Sequence, residues 1–171
     1  MSYHTYIGLG ANLGQPTEQL VWAVQQLQHL PQSQLLAVSR LYRSKPAPGS
    51  PENQPDYTNA VVQLGTTLTP HQLLTQLQTL ESQAGRVRGE RWGARVLDLD
   101  ILLYADDEIR TSNLIIPHAE LVNRSFVVLP LLDIFSTLTL PNGVKVASLA
   151  AARLSADIQI TADNTWWHSK D

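Results

Sequence analysis

Two aspartates, Asp98 and Asp100, stand among large apolar residues in the segment RWGARVLDLDILLY. Side chains alternate between the two faces of a β-strand, so both carboxylates are expected to emerge on the same face. Carboxylates this close repel each other and lose hydration when they are buried, which favours a cation between them. Oxygen ligands suit Mg2+, and two such ions about 3.5 to 4 Å apart can be bridged in a phosphate-transfer site.

Arginines accompany the two acids, at positions 86, 88, 91 and 95. Guanidinium groups bind phosphate oxygens through paired hydrogen bonds, so acids for Mg2+ beside arginines for phosphate indicate a nucleoside triphosphate site. The alternative is purely structural, with an exposed strand face whose acids pair with Arg91 and Arg95. The Asp-x-Asp motif by itself does not decide between these interpretations.

The chain has 171 residues, 43% of them hydrophobic, which predicts one compact domain over residues 1–171. Its net charge of -3 argues against nucleic acid or an anionic membrane surface as the main partner. The absence of cysteine excludes disulfides and thiolate metal sites. The sequence shows neither a secretory signal nor the roughly 20 consecutive apolar residues of a membrane-spanning helix, so we expect a cytoplasmic protein.

Hydrophobic periodicity and turn residues predict an alternation of strands and helices up to residue 104. Strands are predicted at residues 3–9, 35–42, 59–66 and 97–104. One helix follows Pro16 and ends at Pro31, and a second begins at Pro70 and ends at Gly85. This order predicts an α+β fold with a ferredoxin-like βαββαβ core, whose helices cover one face of an antiparallel sheet.

The last predicted strand has two different faces. The helices are expected to cover its apolar residues, Leu97, Leu99, Ile101 and Leu103. Asp98 and Asp100 then lie on the open face, where a ligand has access. A C-terminal extension follows, with a helix predicted at residues 127–135 and a possible strand at 138–140.

Three segments between the elements lack a regular pattern. Residues 44–56 are rich in proline, and residues 85–93 form a basic segment bounded by glycines. Long loops in compact domains are often functional. The glycines of GLGANLG are not followed by the lysine and serine or threonine of a phosphate-binding loop. Gly8, Gly10 and Asn12 are therefore interpreted as a turn that borders the site.

Several ordered motifs resemble those of the 6-hydroxymethyl-7,8-dihydropterin pyrophosphokinase family of folate biosynthesis. The strongest is RWGARVLDLDILLY, which is similar to the family's Arg-Trp-Gly-Pro-Arg-x-Leu-Asp-Leu-Asp-Ile pattern. Four further motifs support it across most of the chain: YIGLGANLG, QPDYTNAVV, ESQAGRVR and IPHAELVNRSFVVLPL. The resemblance implies that diphosphate passes from ATP to the hydroxymethyl oxygen of the pterin, with release of AMP.

The resemblance also implies a role for each matching residue. The implied catalytic residues are Arg91, Arg95, Asp98 and Asp100, of which the two acids hold two Mg2+ ions. The implied contacts to ATP are Gln78, Glu81, Arg86, Arg88, Trp92, His118 and Arg124. The implied pterin pocket consists of Tyr57, Asn59 and Phe126. The expected partners are these two small molecules only, and we expect a monomer.

The chemistry of the implied pterin pocket is reasonable without the resemblance. A flat heterocycle is well held between two aromatic faces, and the amide of Asn59 can both donate to and accept from its edge. The alternative is that Tyr57 and Phe126 are ordinary core aromatics. His118 follows Ile-Ile-Pro outside any helical pattern, which favours a polar contact at the boundary of an element.

The basic segment at residues 85–93 is interpreted as a lid that closes over both substrates, because its arginines repel one another until phosphate arrives. The chain departs from the family pattern at Ala94, where proline is usual, at Ala11, where serine is usual, and at Ala119, where an aromatic is common. The basic segment is also about one residue short of the family pattern. These departures bear on the lid and on adenosine contacts rather than on the acids.

Other functions remain open at this point. A binding module with the same fold would bind nucleotide without producing AMP. A nucleic-acid binder of this strand order is opposed by the acidic charge balance and by the lack of an aromatic-rich strand. A phosphotransferase with a different acceptor would share the acids and arginines but not the pocket aromatics.

Overall fold

The computed structural model describes residues 2–46, 55–88 and 97–168, and for residues 86–88 it describes the backbone alone. Within these ranges the chain forms eight strands and three α-helices. The strands are β1 (Tyr3–Ala11), β2 (Ser33–Val38), β3 (Leu41–Ser44), β4 (Tyr57–Thr66), β5 (Asp98–Tyr104), β6 (Ile109–Arg110), β7 (Ile115–Ile116) and β8 (Ile158–Ala162). The helices are α1 (Pro16–Gln28), α2 (Pro70–Arg88) and α3 (Ser125–Ile134).

The central sheet has the strand order β5-β1-β4-β3-β8, and β2 also pairs with β4. All of these pairs are antiparallel, so the protein is a mixed fold of helices and an antiparallel sheet. The single strand predicted at residues 35–42 is two strands. Ser39 lies between them, where its Oγ accepts a hydrogen bond from the Val61 N–H at 2.9 Å. A side chain thus replaces a carbonyl in the ladder, and β3 begins beyond it.

Helices lie on both faces of the sheet. The fully buried leucines of α1 and α2 pack against one face, as predicted, and they include Leu20, Leu27, Leu73 and Leu77. The opposite face carries a second apolar cluster, in which Val128 and Leu131 of α3 pack with Val61 and Leu102. The two core helices thus lie on one face of the sheet, and α3 of the C-terminal extension covers part of the face that was predicted to be open.

A register shift divides β5 into two halves. Ile7 pairs with Ile101 whereas Tyr6 pairs with Leu103, so Leu102 is an extra residue on β5. Leu97, Leu99 and Ile101 pack under α1 and α2 as predicted. Leu103 joins the cluster under α3 instead, and the prediction for it is wrong because the bulge reverses the alternation of faces.

Several elements differ from the sequence prediction in extent or in kind. Helix α2 continues through Gly85 to Arg88, so Gly85 is not its end. Residues 138–140 form no strand and contribute a single bridge, between Thr139 and Lys145. Strand β8, which the sequence did not predict, pairs with β3. In the described part of the chain, no helix combines the length and the apolar character needed to cross a membrane.

Candidate active site

The candidate site lies where β5, β1 and β4 run side by side. Gly10 of β1 is paired with Asp98 on one side and with Asn59 on the other. Gly8 is likewise paired with Asp100. Both acids and Asn59 therefore project from one face of the sheet, separated by residues without side chains.

The two glycines form the floor of this site. A Cβ added at Gly10 would lie 3.2 Å from Asn59 Nδ2, and one at Gly8 would lie 3.3 Å from Leu102 Cδ2. These distances are shorter than ordinary van der Waals contact, so a larger residue at either position would crowd the side chain of Asn59 or Leu102. The interpretation of Gly8 and Gly10 as a turn is wrong, because both lie inside β1.

A cleft of about 730 Å³ opens above this floor. It brings together six of the residues singled out in the sequence: Asp98, Asp100, Tyr57, Asn59, Arg124 and Phe126. The acids lie on one strand and the implied pterin residues on β4 and α3. The cleft therefore joins the implied metal site to the implied acceptor pocket.

Asp100 is the acid whose surroundings are best defined. Its side chain is 45% exposed, and its Oδ2 lies 4.0 Å from Nε2 of His118. Nδ1 of His118 accepts a hydrogen bond from the Glu120 N–H at 3.1 Å, so a neutral ring carries its proton on Nε2. The His118 N–H donates to Leu102 O at 3.0 Å, which holds this segment against β5. His118 thus borders the acid pair.

The acid pair has the chemistry of a partial Mg2+ site. Its hard oxygen donors emerge side by side on one face, and the glycine floor leaves the space beside them open. In the described ranges, no three or more His, Asp or Glu side chains converge as a complete metal cage. Mg2+ is commonly held by one or two carboxylates together with water and phosphate oxygens, so the two acids fit this ion.

The acceptor end of the cleft is built from β4 and α3. Asn59 is 3% exposed, and its Oδ1 accepts a hydrogen bond from Ser44 Oγ at 2.8 Å. Phe126 is the second residue of α3, and its ring centroid lies 5.6 Å from the guanidinium carbon of Arg124. Tyr57 and Asn59 are two positions apart on β4, which places both on the same face.

Gln78 and Glu81 lie on α2 and do not line the cleft as described. Gln78 is exposed. Glu81 Oε2 accepts a hydrogen bond from the Leu99 N–H at 2.8 Å, so its carboxylate contacts the strand that carries the acids. The hydrogen-bond partner of Glu81, Leu99, thus lies between the two aspartates. The ATP contacts implied for Gln78 and Glu81 stay predictions.

Five implied site residues belong to the end of α2 and to the segment that follows it. Arg91, Trp92 and Arg95 lie outside the described residues, as does Ala94. Arg86 and Arg88 belong to the last turn of α2, where the backbone alone is described. Their roles stay predictions.

The cleft is also lined by residues that no sequence motif singled out. Ser44 ends β3, and three residues of the C-terminal part lie nearby: Ser155, Asp157 and Ile158. Ser44 is the first residue of the proline-rich segment 44–56, which is the one local signal that pointed toward it. Nothing local in the sequence pointed to the C-terminal residues.

Comparison with known proteins shows the family of this chain. The family model "7,8-dihydro-6-hydroxymethylpterin-pyrophosphokinase (HPPK)" matches residues 6–136. A 2-amino-4-hydroxy-6-hydroxymethyldihydropteridine pyrophosphokinase of Haemophilus influenzae is 47% identical over 84% of this chain and 89% of its own length. A protein of the same description from Pseudomonas aeruginosa is 43% identical over 89% of this chain and 93% of its own.

Solved structures show the same fold at low sequence identity. An HPPK-DHPS in complex with substrates has a TM-score of 0.69 at 12% identity, over 88% of this chain. The wild-type HPPK-DHPS of Plasmodium falciparum has a TM-score of 0.63 at 13% identity, over 82% of this chain. This chain spans less than half of those longer chains, 43% and 42% respectively. From the family match and the two close relatives, the chain belongs to the 7,8-dihydro-6-hydroxymethylpterin-pyrophosphokinase family, and it is a pyrophosphokinase.

Proposed function

We propose that the cleft above Gly8 and Gly10 is where this chain transfers diphosphate from ATP to the hydroxymethyl oxygen of 6-hydroxymethyl-7,8-dihydropterin. The acceptor oxygen forms a bond to the β-phosphorus, and the bridging bond to the α-phosphate breaks. AMP leaves, and the hydroxyl proton is released. The reaction belongs to folate biosynthesis.

One observation carries this proposal: the cross-strand row of Asp98, Gly10 and Asn59. The row puts the acids on β5 and Asn59 on β4, on one face of the sheet, and the intervening strand β1 contributes only a glycine between them. An in-line displacement needs its two substrates positioned end to end more than it needs covalent catalysis. The row of Asp98, Gly10 and Asn59 would place the phosphate end of one substrate beside the acceptor end of the other.

Asp98 and Asp100 are the residues that would hold Mg2+, and two ions are proposed. Bound Mg2+ neutralises charge on the phosphate oxygens of ATP during transfer. His118 donates from Nε2 toward phosphate oxygens next to Asp100, and Arg124 contributes a positive charge on the α3 side of the cleft. Arg91 and Arg95 are proposed as further phosphate ligands, on the strength of the matching motif.

The pterin is proposed to bind at the other end of the cleft. Tyr57 and Phe126 offer aromatic faces to a flat heterocycle, and the Asn59 amide pairs with its donors and acceptors. Burial of Asn59 supports this role, because a polar group in a dry pocket strongly disfavours a ligand that leaves it unpaired.

The remaining predictions belong to this proposal. A ferredoxin-like βαββαβ core is part of the proposal. The strand order β5-β1-β4-β3 supports it when β2 and β3 are counted as one interrupted strand. The monomeric state, the cytoplasmic location and the lid at residues 85–93 stay predictions. The first four residues of that lid belong to α2.

A direct assay tests the function. Purified protein is mixed with ATP, MgCl2 and 6-hydroxymethyl-7,8-dihydropterin, and AMP is measured by chromatography. We expect AMP and the diphosphorylated pterin in equal amounts, and neither when the pterin or the Mg2+ is omitted. ATP binding without AMP would instead identify a binding module, and AMP formation independent of the pterin would point to a different acceptor.

A further inference from the structure

Asn59 has a protein partner that no motif singled out. Ser44, the last residue of β3, donates from Oγ to Asn59 Oδ1 at 2.8 Å. Ser44 is 6% exposed and Asn59 is 3% exposed, and both line the cleft. A hydrogen bond between two buried side chains is in place before any ligand binds.

We propose that Ser44 is a positioning residue that holds the Asn59 amide at the depth and in the plane needed to pair with the acceptor heterocycle. This inference rests on the proposed function. The terminal torsion of asparagine is broad, so an amide without a partner samples many orientations. A bond to one lone pair of Oδ1 fixes the amide and leaves its second lone pair and its NH2 group for a ligand.

The other end of the amide is confined as well. A Cβ at Gly10 would lie 3.2 Å from Asn59 Nδ2, so the NH2 group lies directly against the glycine floor. Ser44 therefore holds the oxygen end while the floor limits the nitrogen end. The amide enters binding already oriented, which lowers the entropy cost of ordering it.

The position of Ser44 is set from both sides. On one side it is paired with Tyr57 of β4, and on the other with Ile158 of β8. The N–H of the next residue, Lys45, donates to Asp157 O at 3.0 Å. Strand β8 lies beyond residues 6–136, the part matched by the family model. The C-terminal strand thus supports the acceptor pocket through Ser44.

A double-mutant cycle tests this inference, with the pterin and a non-hydrolysable ATP analogue titrated separately. Ser44→Ala should weaken pterin binding about three- to tenfold, the range for one lost hydrogen bond, and leave the ATP analogue unaffected. The pterin KM should rise with little change in kcat, since the amide binds substrate and transition state alike. In an Asn59→Ala background, the same Ser44→Ala change should not weaken pterin binding any further.

Two isosteric variants separate the hydroxyl from the packing. Ser44→Thr keeps a hydroxyl and Ser44→Val replaces it with a methyl group, while the shapes are nearly equal. The Ser44→Thr variant should bind pterin about as well as the wild type, and the Ser44→Val variant should lose as much pterin affinity as Ser44→Ala. Equal losses for Thr and Val would overturn the inference, because packing at β3 would then account for both. These two variants decide the matter even if Ser44→Ala folds poorly.

A control on the same strand pair is available. The Arg43 Nη2 group donates to Gln159 Oε1 at 2.9 Å, and neither side chain lines the cleft. Gln159→Ala removes that cross-strand bond between β3 and β8 and should leave pterin affinity unchanged.

The cycle also separates two kinds of failure. If Asn59→Ala itself left pterin affinity unchanged, the acceptor pocket in the proposed function would be wrong. If Asn59→Ala weakened pterin binding and Ser44→Ala did not, the role of Ser44 alone would be wrong. A loss from Ser44→Ala that persisted in the Asn59→Ala background would show that Ser44 acts on the ligand or the strand directly, which also contradicts positioning.

Discussion

The carboxylate of Glu81 accepts a hydrogen bond from the backbone N–H of Leu99 at 2.8 Å. Leu99 lies between Asp98 and Asp100 on β5, and β5 ends the strand order of the sheet. An edge strand presents N–H groups that have no neighbouring strand to accept them. Glu81 supplies an acceptor from α2 and so ties the helix to the strand segment that carries both acids.

Replacing Glu81 should therefore affect the acid pair from a distance. Glu81→Ala should lower the free energy of unfolding by roughly 1 kcal/mol, the usual contribution of one hydrogen bond. It should also raise the Mg2+ concentration needed for half-maximal AMP release, because β5 is held less firmly. Glu81→Gln retains an acceptor oxygen and should resemble the wild type in unfolding. Urea unfolding and Mg2+ titrations measure the two effects.

The matched control for Glu81 is Gln83→Ala, an exposed position on the same helix. It should leave both measurements unchanged. A Glu81→Ala enzyme with normal Mg2+ dependence would show that the position of the acids does not depend on this hydrogen bond.

The two acids themselves should be indispensable for turnover. Asp98→Ala or Asp100→Ala should abolish Mg2+-dependent AMP release while the fold is retained, since removing one acid relieves repulsion between carboxylates in the metal-free protein. Circular dichroism checks the fold and the AMP assay checks turnover. Glu108→Ala, an exposed acid beyond β5, is the control and should retain full activity. Near-normal turnover in either aspartate variant would contradict the proposed metal site.

Local alternation was enough to predict the acid side of the site. Asp98 and Asp100 are two residues apart in a strand, and both do line one cleft. The same rule failed at Leu103, because the bulge at Leu102 arises from how β5 pairs with β1. A period of two in the sequence contains no information about the partner strand, so the bulge could not be predicted.

The supporting parts of the site escaped prediction for a related reason. Ser44 and Asn59 belong to different strands, and Ile158 reaches Ser44 from the far end of the chain. Such contacts follow from strand order rather than from local pattern. The glycines of GLGANLG, without the residues of a phosphate-binding loop after them, predict a turn, whereas Gly10 lies inside β1 and gives room for the side chain of Asn59.

Phe126 should matter for the pterin and not for the nucleotide. Phe126→Ala removes one proposed stacking face, worth on the order of 1 kcal/mol beyond its area burial, so pterin affinity should fall severalfold. The affinity for a non-hydrolysable ATP analogue should change little. Phe135→Ala is a control at the other end of α3, since Phe135 is 40% exposed and does not line the cleft. Equal losses for both ligands would place the acceptor elsewhere.

Asn59→Ala should weaken pterin binding at least as much as Phe126→Ala, because it leaves donors and acceptors of the ligand unpaired in a buried pocket. Isothermal titration with each ligand separately measures the effect. The fold should persist, since Ser44 Oγ can bind water in the space that the amide leaves. Pterin affinity equal to that of the wild type would contradict the assignment of Asn59 to the acceptor.

A last prediction concerns stability at alkaline pH. Tyr42 is fully buried, and its hydroxyl donates to Asp133 Oδ2 at 2.8 Å, which links β3 to α3. Burial raises the pKa of the Tyr42 phenol above its ordinary value, and the hydrogen bond to Asp133 raises this pKa further. Since the folded pKa is the higher one, this stabilisation is complete below about pH 10, the unfolded value, and is lost as the pH rises above it.

The free energy of unfolding should therefore fall above about pH 10, by up to roughly 1.4 kcal/mol per pH unit for each such tyrosine. Burial also raises the pKa values of Tyr6 and Tyr104, so the wild-type slope contains more than one contribution. Tyr42→Phe should be less stable than the wild type near neutral pH, because it lacks the bond to Asp133, yet its stability should decline less steeply above pH 10. Urea unfolding at a series of pH values compares the two slopes. Equal slopes would mean that Tyr42 does not resist ionisation in the folded protein, and that the contact between β3 and α3 does not depend on its proton.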